Sequence, residues 1–222
     1  KLTDSYKEGD LGTPNATWEK AKKFDVGLDM NFLNKFSFTI DYFLDKRYDQ
    51  LVTREYIPLV IGIGFSPNNI ARTTNQGFDG QISYQDRFGD FDFNTNLVFS
   101  YAKNRVDYKA EAQQKYPWLA ATGKPLNQPF GYKWIGYYTP EDVAKIRSGA
   151  SDAPAAPYTD IPVQAGDLKY ADLNNDGTID DYDKSAIGKP NLPSTTLGWS
   201  FGGYWRGFSF NVLFQGSFDY SF

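Results

Sequence analysis

The sequence contains neither cysteine nor histidine. Without cysteine there is no disulfide framework and no thiol nucleophile. That absence suits an exported protein of a bacterial envelope, where stray thiols are oxidised. Without histidine, the usual general base near neutral pH and the commonest zinc ligand are both missing. Long apolar runs are missing too. The most apolar stretch, Ile57–Phe65 (IPLVIGIGF), is interrupted by Pro58 and falls far short of the ~20 residues that a membrane helix requires. A helical span is thereby excluded, while a membrane barrel stays open. An excess of positive charge is also lacking. A net charge of −4 and a pI near 4.9 argue against a nucleic-acid binder, which needs a basic footprint. The N-terminal KLTDSYKEGD has no apolar core of a signal peptide. The C-terminal QGSFDYSF stops inside a strand-like pattern, so a fragment is expected at both ends.

Aromatic residues, in contrast, are abundant at 18% of the chain, and they recur at every second position in several short segments. Phe24, Val26, Leu28, Met30 and Phe32 alternate with Asp25, Gly27, Asp29 and Asn31. Phe36, Phe38, Ile40, Tyr42 and Leu44 alternate with Ser37, Thr39 and Asp41. The same period recurs in Phe78–Gln85, Phe91–Tyr101, Leu197–Trp205 and Phe208–Gln215. Period two puts each apolar set on one side of a pleated strand. Strands are therefore expected near residues 24–33, 36–45, 78–86, 91–101, 197–205 and 208–216, with a further one beginning near Phe218.

The connections alternate in length. Leu33-Asn34-Lys35, Asp86–Asp90 and Arg206-Gly207 are short, whereas residues 46–77 and 102–196 form long links. Short turns on one side and long loops on the other are the layout of an outer-membrane barrel, with the long loops extracellular. Strands of about nine to eleven residues cross a bilayer when tilted. Asp, Asn, Ser and Gln on the polar faces suit a wet lumen. Phe32, Phe36, Phe91, Trp205 and Phe208 lie beside the short turns, as an interfacial aromatic girdle would. The competing fold is a soluble β-sandwich, which alternates in the same way but has shorter strands. The fold class expected is all-β, an antiparallel transmembrane β-barrel segment.

One motif stands apart. Asp172–Asp183 (DLNNDGTIDDYD) follows the calcium-loop template D-x-[DN]-x-[DN]-G-x5-E. Asp172, Asn174 and Asp176 occupy its first, third and fifth positions, and Gly177 takes the sharp turn at the sixth. The Thr178 carbonyl, Asp180 and Asp183 complete the oxygen set, with Asp183 where Glu is usual. Without a cation the four aspartates repel one another. No EF-hand helix pair flanks the loop, and only Asp181–Ala186 is expected to form a helical turn. A structural Ca2+ is therefore expected in the second long loop, as a staple and not a sensor. The bland alternative is an Asp/Asn-rich turn that binds nothing.

Several of these stretches together resemble one family. NATWEKAKKFDVGLDMNFLNKFSFTIDYFLDKRYDQL (Asn15–Leu51), with its Trp-Glu pair and a strand ending in Asp-Tyr-Phe, is similar to the barrel region of SusC/RagA-like TonB-dependent outer-membrane transporters. NQGFDG (Asn75–Gly80) resembles a strand opening of that family. Gly166–Phe218, with its Asp/Asn loop, Ile-Gly, Pro-containing link and Phe-Gln-Gly hairpin, resembles its late-barrel segment. The resemblance implies a 22-stranded barrel in the bacterial outer membrane, filled by an N-terminal plug. It further implies import of glycans or peptides, energised by TonB, beneath a SusD-like surface lipoprotein. No plug and no TonB box are found in this sequence, so TonB would act through the missing plug region.

On this reading Asp25, Asp29, Asp41, Asn94, Asn96, Asn211 and Gln215 line the lumen, more as general lining than as ligand contacts. Trp118, Tyr132, Trp134, Tyr137 and Tyr138 in the long loop touch substrate or lid, or pack the loop on itself; the second is the simpler expectation. No carboxylate pair stands out as a glycosidase site, so no enzyme is expected. A scaffold subunit of an envelope complex and a secreted, calcium-stapled carbohydrate-binding sandwich are the alternatives. Asn15-Ala16-Thr17 matches a glycosylation sequon, incidental in such a protein.

Overall fold

Side chains that alternate in polarity at every second residue can satisfy both faces of a sheet only if neighbouring strands keep register, and here they do. The computed structural model describes residues 12–53, 66–159 and 161–221; the apolar stretch Ile57–Phe65 lies outside them. The elements in chain order are β1 (Lys20–Phe32), β2 (Phe36–Val52), β3 (Asn68–Phe88), β4 (Phe91–Tyr108), β5 (Phe130–Tyr132), β6 (Trp134–Tyr137), α1 (Pro140–Ser148), β7 (Ala156–Pro157), β8 (Leu168–Tyr170), β9 (Thr178–Ile179), β10 (Lys184–Ala186), β11 (Thr195–Trp205) and β12 (Phe208–Phe218). Two compact units result. One holds Lys1–Ala112, Ala121–Asn127 and Pro190–Phe222; the other holds Gln113–Ala120 and Gln128–Lys189.

The first unit is a six-stranded sheet in the order β1-β2-β3-β4-β11-β12, antiparallel throughout. Its tight turns fall at one end. Phe32 pairs with Phe36, Phe88 with Phe91, and Trp205 with both Phe91 and Phe208. The turn expected over Asp86–Asp90 is tighter than that, because β3 runs on to Phe88 and only Gly89-Asp90 turn. At the third turn Arg206 (φ 45°) and Gly207 (φ 95°) are both left-handed, which matches a two-residue turn to the strand twist.

At the other end β2, β3 and β4 outrun the expected strands. They have 17, 21 and 18 residues, against 11 each for β11 and β12. Much of the expected loop 46–77 is therefore strand, as is the start of loop 102–196. Asp49 (φ 56°) sits where the β2–β3 register shifts, the mark of a bulge. Beyond Tyr101, which pairs with Thr195, β4 no longer has β11 beside it. A return segment takes that place: Val106 N–H donates to the Lys124 carbonyl and Gly123 N–H to the Val106 carbonyl. The further strand expected near Phe218 does not begin among the described residues; Phe218 ends β12 against Thr195.

The second unit is small and loop-rich. Its two-stranded ladders are β10–β5, β6–β8 and the parallel β7–β9. Helix α1 opens with Thr139 accepting from the Asp142 amide while Asp142 accepts from the Thr139 amide, and it ends at Gly149 in the left-handed region. That reciprocal cap satisfies two otherwise unpaired amides. Tyr138, Val143 and Ile179 are its buried apolar residues, and the Tyr138 hydroxyl donates to the Ala155 carbonyl at 2.6 Å.

Candidate functional site: a two-faced sheet and an Asp-rich loop

The register gathers most of the large apolar side chains of all six strands on one face. Straight across the sheet run rows such as Val26–Tyr42–Phe78–Tyr101 and Leu97–Trp199–Phe214. Phe24, Val26, Leu28, Met30, Tyr42, Phe78, Ile82, Trp199, Phe210 and Phe214 are all exposed. An uncovered apolar patch of this extent is foreign to a water-facing monomer. It also rules out the sandwich, in which the apolar face is the buried one. At the tight-turn end the same face carries exposed Phe32, Phe36, Phe88, Trp205 and Phe208, an aromatic band at an interface.

The opposite face is mainly polar, with Phe43, Val98 and Leu213 set among its polar residues. Asp41 lies between Gly27 of β1 and Asp79 of β3. Thr39 Oγ1 donates to Asp29 Oδ1 at 2.7 Å, and Ser83 Oγ donates to Asn96 Oδ1 at 2.9 Å. Asn94 and Asn211 both pair with Gly202, and Gln215 pairs with Gly198. The expected lumen-lining residues Asp25, Asp29, Asp41, Asn94, Asn96, Asn211 and Gln215 therefore share one face. That face has two chemistries: carboxylates gathered on β1–β3, and mainly amides and hydroxyls on β4, β11 and β12, with Asp92 of β4 near the tight turns. Asp79 completes the carboxylate group, and the alternation of Phe78–Gln85 was the signal for it.

The Asp-rich loop is closed by its own backbone. Asp172 Oδ1 accepts from the Asn175 amide at 2.7 Å, and its Oδ2 from the Gly177 amide at 2.8 Å. Asp176 Oδ1 accepts from the Thr178 amide at 2.9 Å, and Asn174 Nδ2 donates to Asp176 Oδ2 at 2.8 Å. Gly177 has φ 84°, the backbone its position requires. Asp180 caps a short 3₁₀ turn, Asp181–Asp183, where the helical turn was expected. Asp183 is completely buried. Its Oδ1 accepts from the Leu173 amide at 2.8 Å and its Oδ2 from the Asp180 amide at 2.9 Å, so it ties the two ends of the loop together. Amide dipoles thus offset the repulsion expected of these carboxylates. The set of Asp172, Asn174, Asp176, the Thr178 carbonyl, Asp180 and Asp183 keeps the calcium-loop order. Among the described residues, however, no three acidic side chains already converge into a metal cluster.

Most of the loop aromatics pack the second unit on itself. Trp118 stacks on Tyr116 at 4.6 Å and donates to the Tyr182 carbonyl at 2.7 Å. Tyr132 lies 5.4 Å from Tyr170, and Tyr138 is buried. Trp134 and Tyr137 meet edge-to-face at 5.5 Å yet stay exposed.

Comparison with known proteins gives these two faces a context. The family model described as TonB dependent receptor-like, beta-barrel matches residues 3–218. TonB-dependent receptor P3 of Formosa agariphila is 28% identical over 226 residues, covering 94% of this chain and 21% of the relative. TonB-dependent receptor P26 of the same organism is 24% identical, with 94% and 21% covered. The chain thus spans about a fifth of the length of these relatives. Among solved structures, the RagAB peptide importer in its open-open state superposes with a TM-score of 0.67 at 17% identity, covering 96% of this chain and 22% of that one. The closed-closed state gives 0.65 at 20% identity, covering 94% and 22%.

Proposed function

Since this chain belongs to the TonB dependent receptor-like β-barrel family, whose members are barrels of the bacterial outer membrane, we propose that it forms part of the wall of a nutrient importer. The cargo on this reading is a glycan or a peptide. A SusD-like surface lipoprotein closes the outer side, and TonB supplies the energy through a plug region. The observation that supports it most is the register, which turns most of the large apolar side chains of six strands to one side and the carboxylates of Asp25, Asp29, Asp41 and Asp79 to the other. A lipid-facing surface backed by a hydrated lining is what a transport barrel requires. The family is one of receptors and transporters, and no residue is assigned a catalytic role.

The tight turns face the periplasm on this reading, and the second unit, within the β4–β11 connection, lies outside the cell. Deleting the gene should abolish growth on one class of oligosaccharide or peptide as sole nutrient, and removing TonB should do the same. Normal uptake in both strains would instead indicate a scaffold subunit of an envelope complex. Affinity purification of the tagged protein from outer membranes tests the lipoprotein partner.

Calcium in the Asp172–Asp183 loop is the second part of the proposal. The residues fit it: hard oxygen donors stand in the template order, and each carboxylate oxygen that accepts a single amide, such as Asp172 Oδ2 and Asp176 Oδ1, keeps a lone pair. Bound Ca2+ would supply charge neutralisation and nothing catalytic. Isothermal titration of the purified protein with CaCl2 tests it, and a flat titration reduces the loop to a self-closed turn.

A further inference from the structure

The apolar face of the sheet does not fade into mixed polarity at the end away from the tight turns; it ends in a row of cations. The register is unbroken up to this level, so the two faces continue along the strands. Lys22 of β1 stands opposite Lys46 of β2, Lys46 opposite Thr74 of β3, and Thr74 opposite Arg105 of β4. One step nearer the apolar band, Lys103 is opposite Gln76; one step farther away, Lys20 is opposite Tyr48. All five cations share the face of Phe24, Leu44 and Phe78, and all five are exposed.

Two of them are neutralised. Lys20 pairs with Asp49 at 2.8 Å, and Arg105 with Asp107 at 2.7 Å. Lys22, Lys46 and Lys103 have no carboxylate partner among the described residues. Lys22 instead lies 5.8 Å from the Tyr48 ring centroid. Like charges directly opposite on adjacent strands are destabilising, yet Lys22 and Lys46 occupy that arrangement. The tight-turn end is built differently. There Lys35 pairs with Asp86, Arg87 with Asp92 and Arg206 with Asp90. Unneutralised lysines are therefore confined to one rim of the lipid-facing band.

We propose that Lys22, Lys46 and Lys103 form a docking row for the phosphate groups of lipid headgroups in the leaflet at that end. Charge complementarity selects an anion, and continuity with the apolar band selects one that carries acyl chains. Leu44 and Phe24 would pack against the chains while the ammonium groups meet the phosphate. Lysine suits this task, because its long apolar stem stays along the band while its charge reaches the headgroup layer. The orientation proposed above decides only which leaflet supplies the lipid; it makes the partner the phosphorylated glycolipid of the outer leaflet.

The test uses the protein purified from outer membranes and exchanged into non-ionic detergent. Native mass spectrometry and titration follow binding of lipid A, of dephosphorylated lipid A and of phosphatidylglycerol, with inorganic phosphate as competitor. Tight, salt-sensitive retention of lipid A over its dephosphorylated form is expected. The triple change Lys22→Gln, Lys46→Gln and Lys103→Gln should weaken it about a hundredfold, from the contribution of each lysine near a charged surface. The triple Arg variant should restore it. If the Gln variant does not fold, loss of the wild-type adduct at high salt gives the same reading. Equal binding of both lipid A forms, an unchanged Gln variant, or full displacement by millimolar phosphate would overturn the proposal. Preference for phosphatidylglycerol over lipid A would keep the row but place it in the other leaflet. Protease access to residues 113–189 on intact cells reads the orientation separately.

Discussion

Gly27 of β1 faces Asp41 of β2, and the Asp41 carboxylate occupies the space that a Cβ at residue 27 would fill. The same carboxylate is opposite Asp79 on its other side. A glycine in mid-strand weakens pairing, and here it gives Asp41 room to lean away from Asp79.

Gly27→Ala should therefore act through Asp41. The displaced atom is the end of a side chain, so the sheet still forms, with a loss of about 0.5–1 kcal/mol from crowded like charges. Asp41→Asn should recover most of that loss in the double variant. Chemical unfolding of the four proteins in a double-mutant cycle measures the coupling. Additive effects would separate the two residues.

Leu28 stands in the middle of the apolar band opposite Ile40, whereas Gln81 stands opposite Thr39 on the polar face. Leu28→Arg should cost about 2–4 kcal/mol of barrel stability, the range for a cation on the lipid face at mid-depth. Gln81→Arg, beside the carboxylates, should cost almost nothing. Folded fractions on heat-modifiability gels compare them, and equal losses would contradict the face assignment.

Asp183→Ala should loosen the second unit whether or not calcium is bound. It removes the acceptor for the part-buried Leu173 and Asp180 amides, at up to about 1–3 kcal/mol for each group left unpaired. Chelation is a different perturbation. With calcium bound, EGTA should speed cleavage within 102–196 and spare the sheet. Limited proteolysis with mass mapping distinguishes these outcomes; insensitivity to EGTA would leave Asp183 as a purely structural tie.

The start of α1 should respond to acid. The Thr139 amide and then Lys169 hold the Asp142 carboxyl below its usual 3.8. The folded state binds that proton more weakly than the unfolded chain, so the contribution is complete above about pH 4. It falls away as pH drops through the depressed value. Amide exchange over Pro140–Ser148 should stay slow at pH 5 and quicken below pH 4. Lys169→Met should move the change to higher pH.

The six strands and their tight turns were legible because bilayer and lumen impose opposite polarity on alternate residues. Phe36–Leu44 shows this clearly, with five apolar residues on one face. The upper parts of β2, β3 and β4 were not legible for the same reason. In DKRYDQLV and NNIARTTNQG the period disappears, because a strand wet on both sides has no polarity to alternate. Helix α1 was readable in principle, since Thr139-Pro140-Glu141-Asp142 is a capping signature and Gly149 a stop. In the Asp-rich loop the ligand order was visible, but the role of Asp183 was not. A spacing rule gives the position of a carboxylate and says nothing of the amides that close around it.

The return of Ala121–Lys124 along β4 has a consequence for how this protein survives before it is embedded. Above Tyr101 a seven-residue length of β4 would offer bare N–H and C=O groups to water, and such an edge is a template for pairing with another chain. By taking the bonds of Val106, the segment blunts that edge from within the same molecule. The tallest strands can then stand clear of the lipid without recruiting neighbours into aggregates.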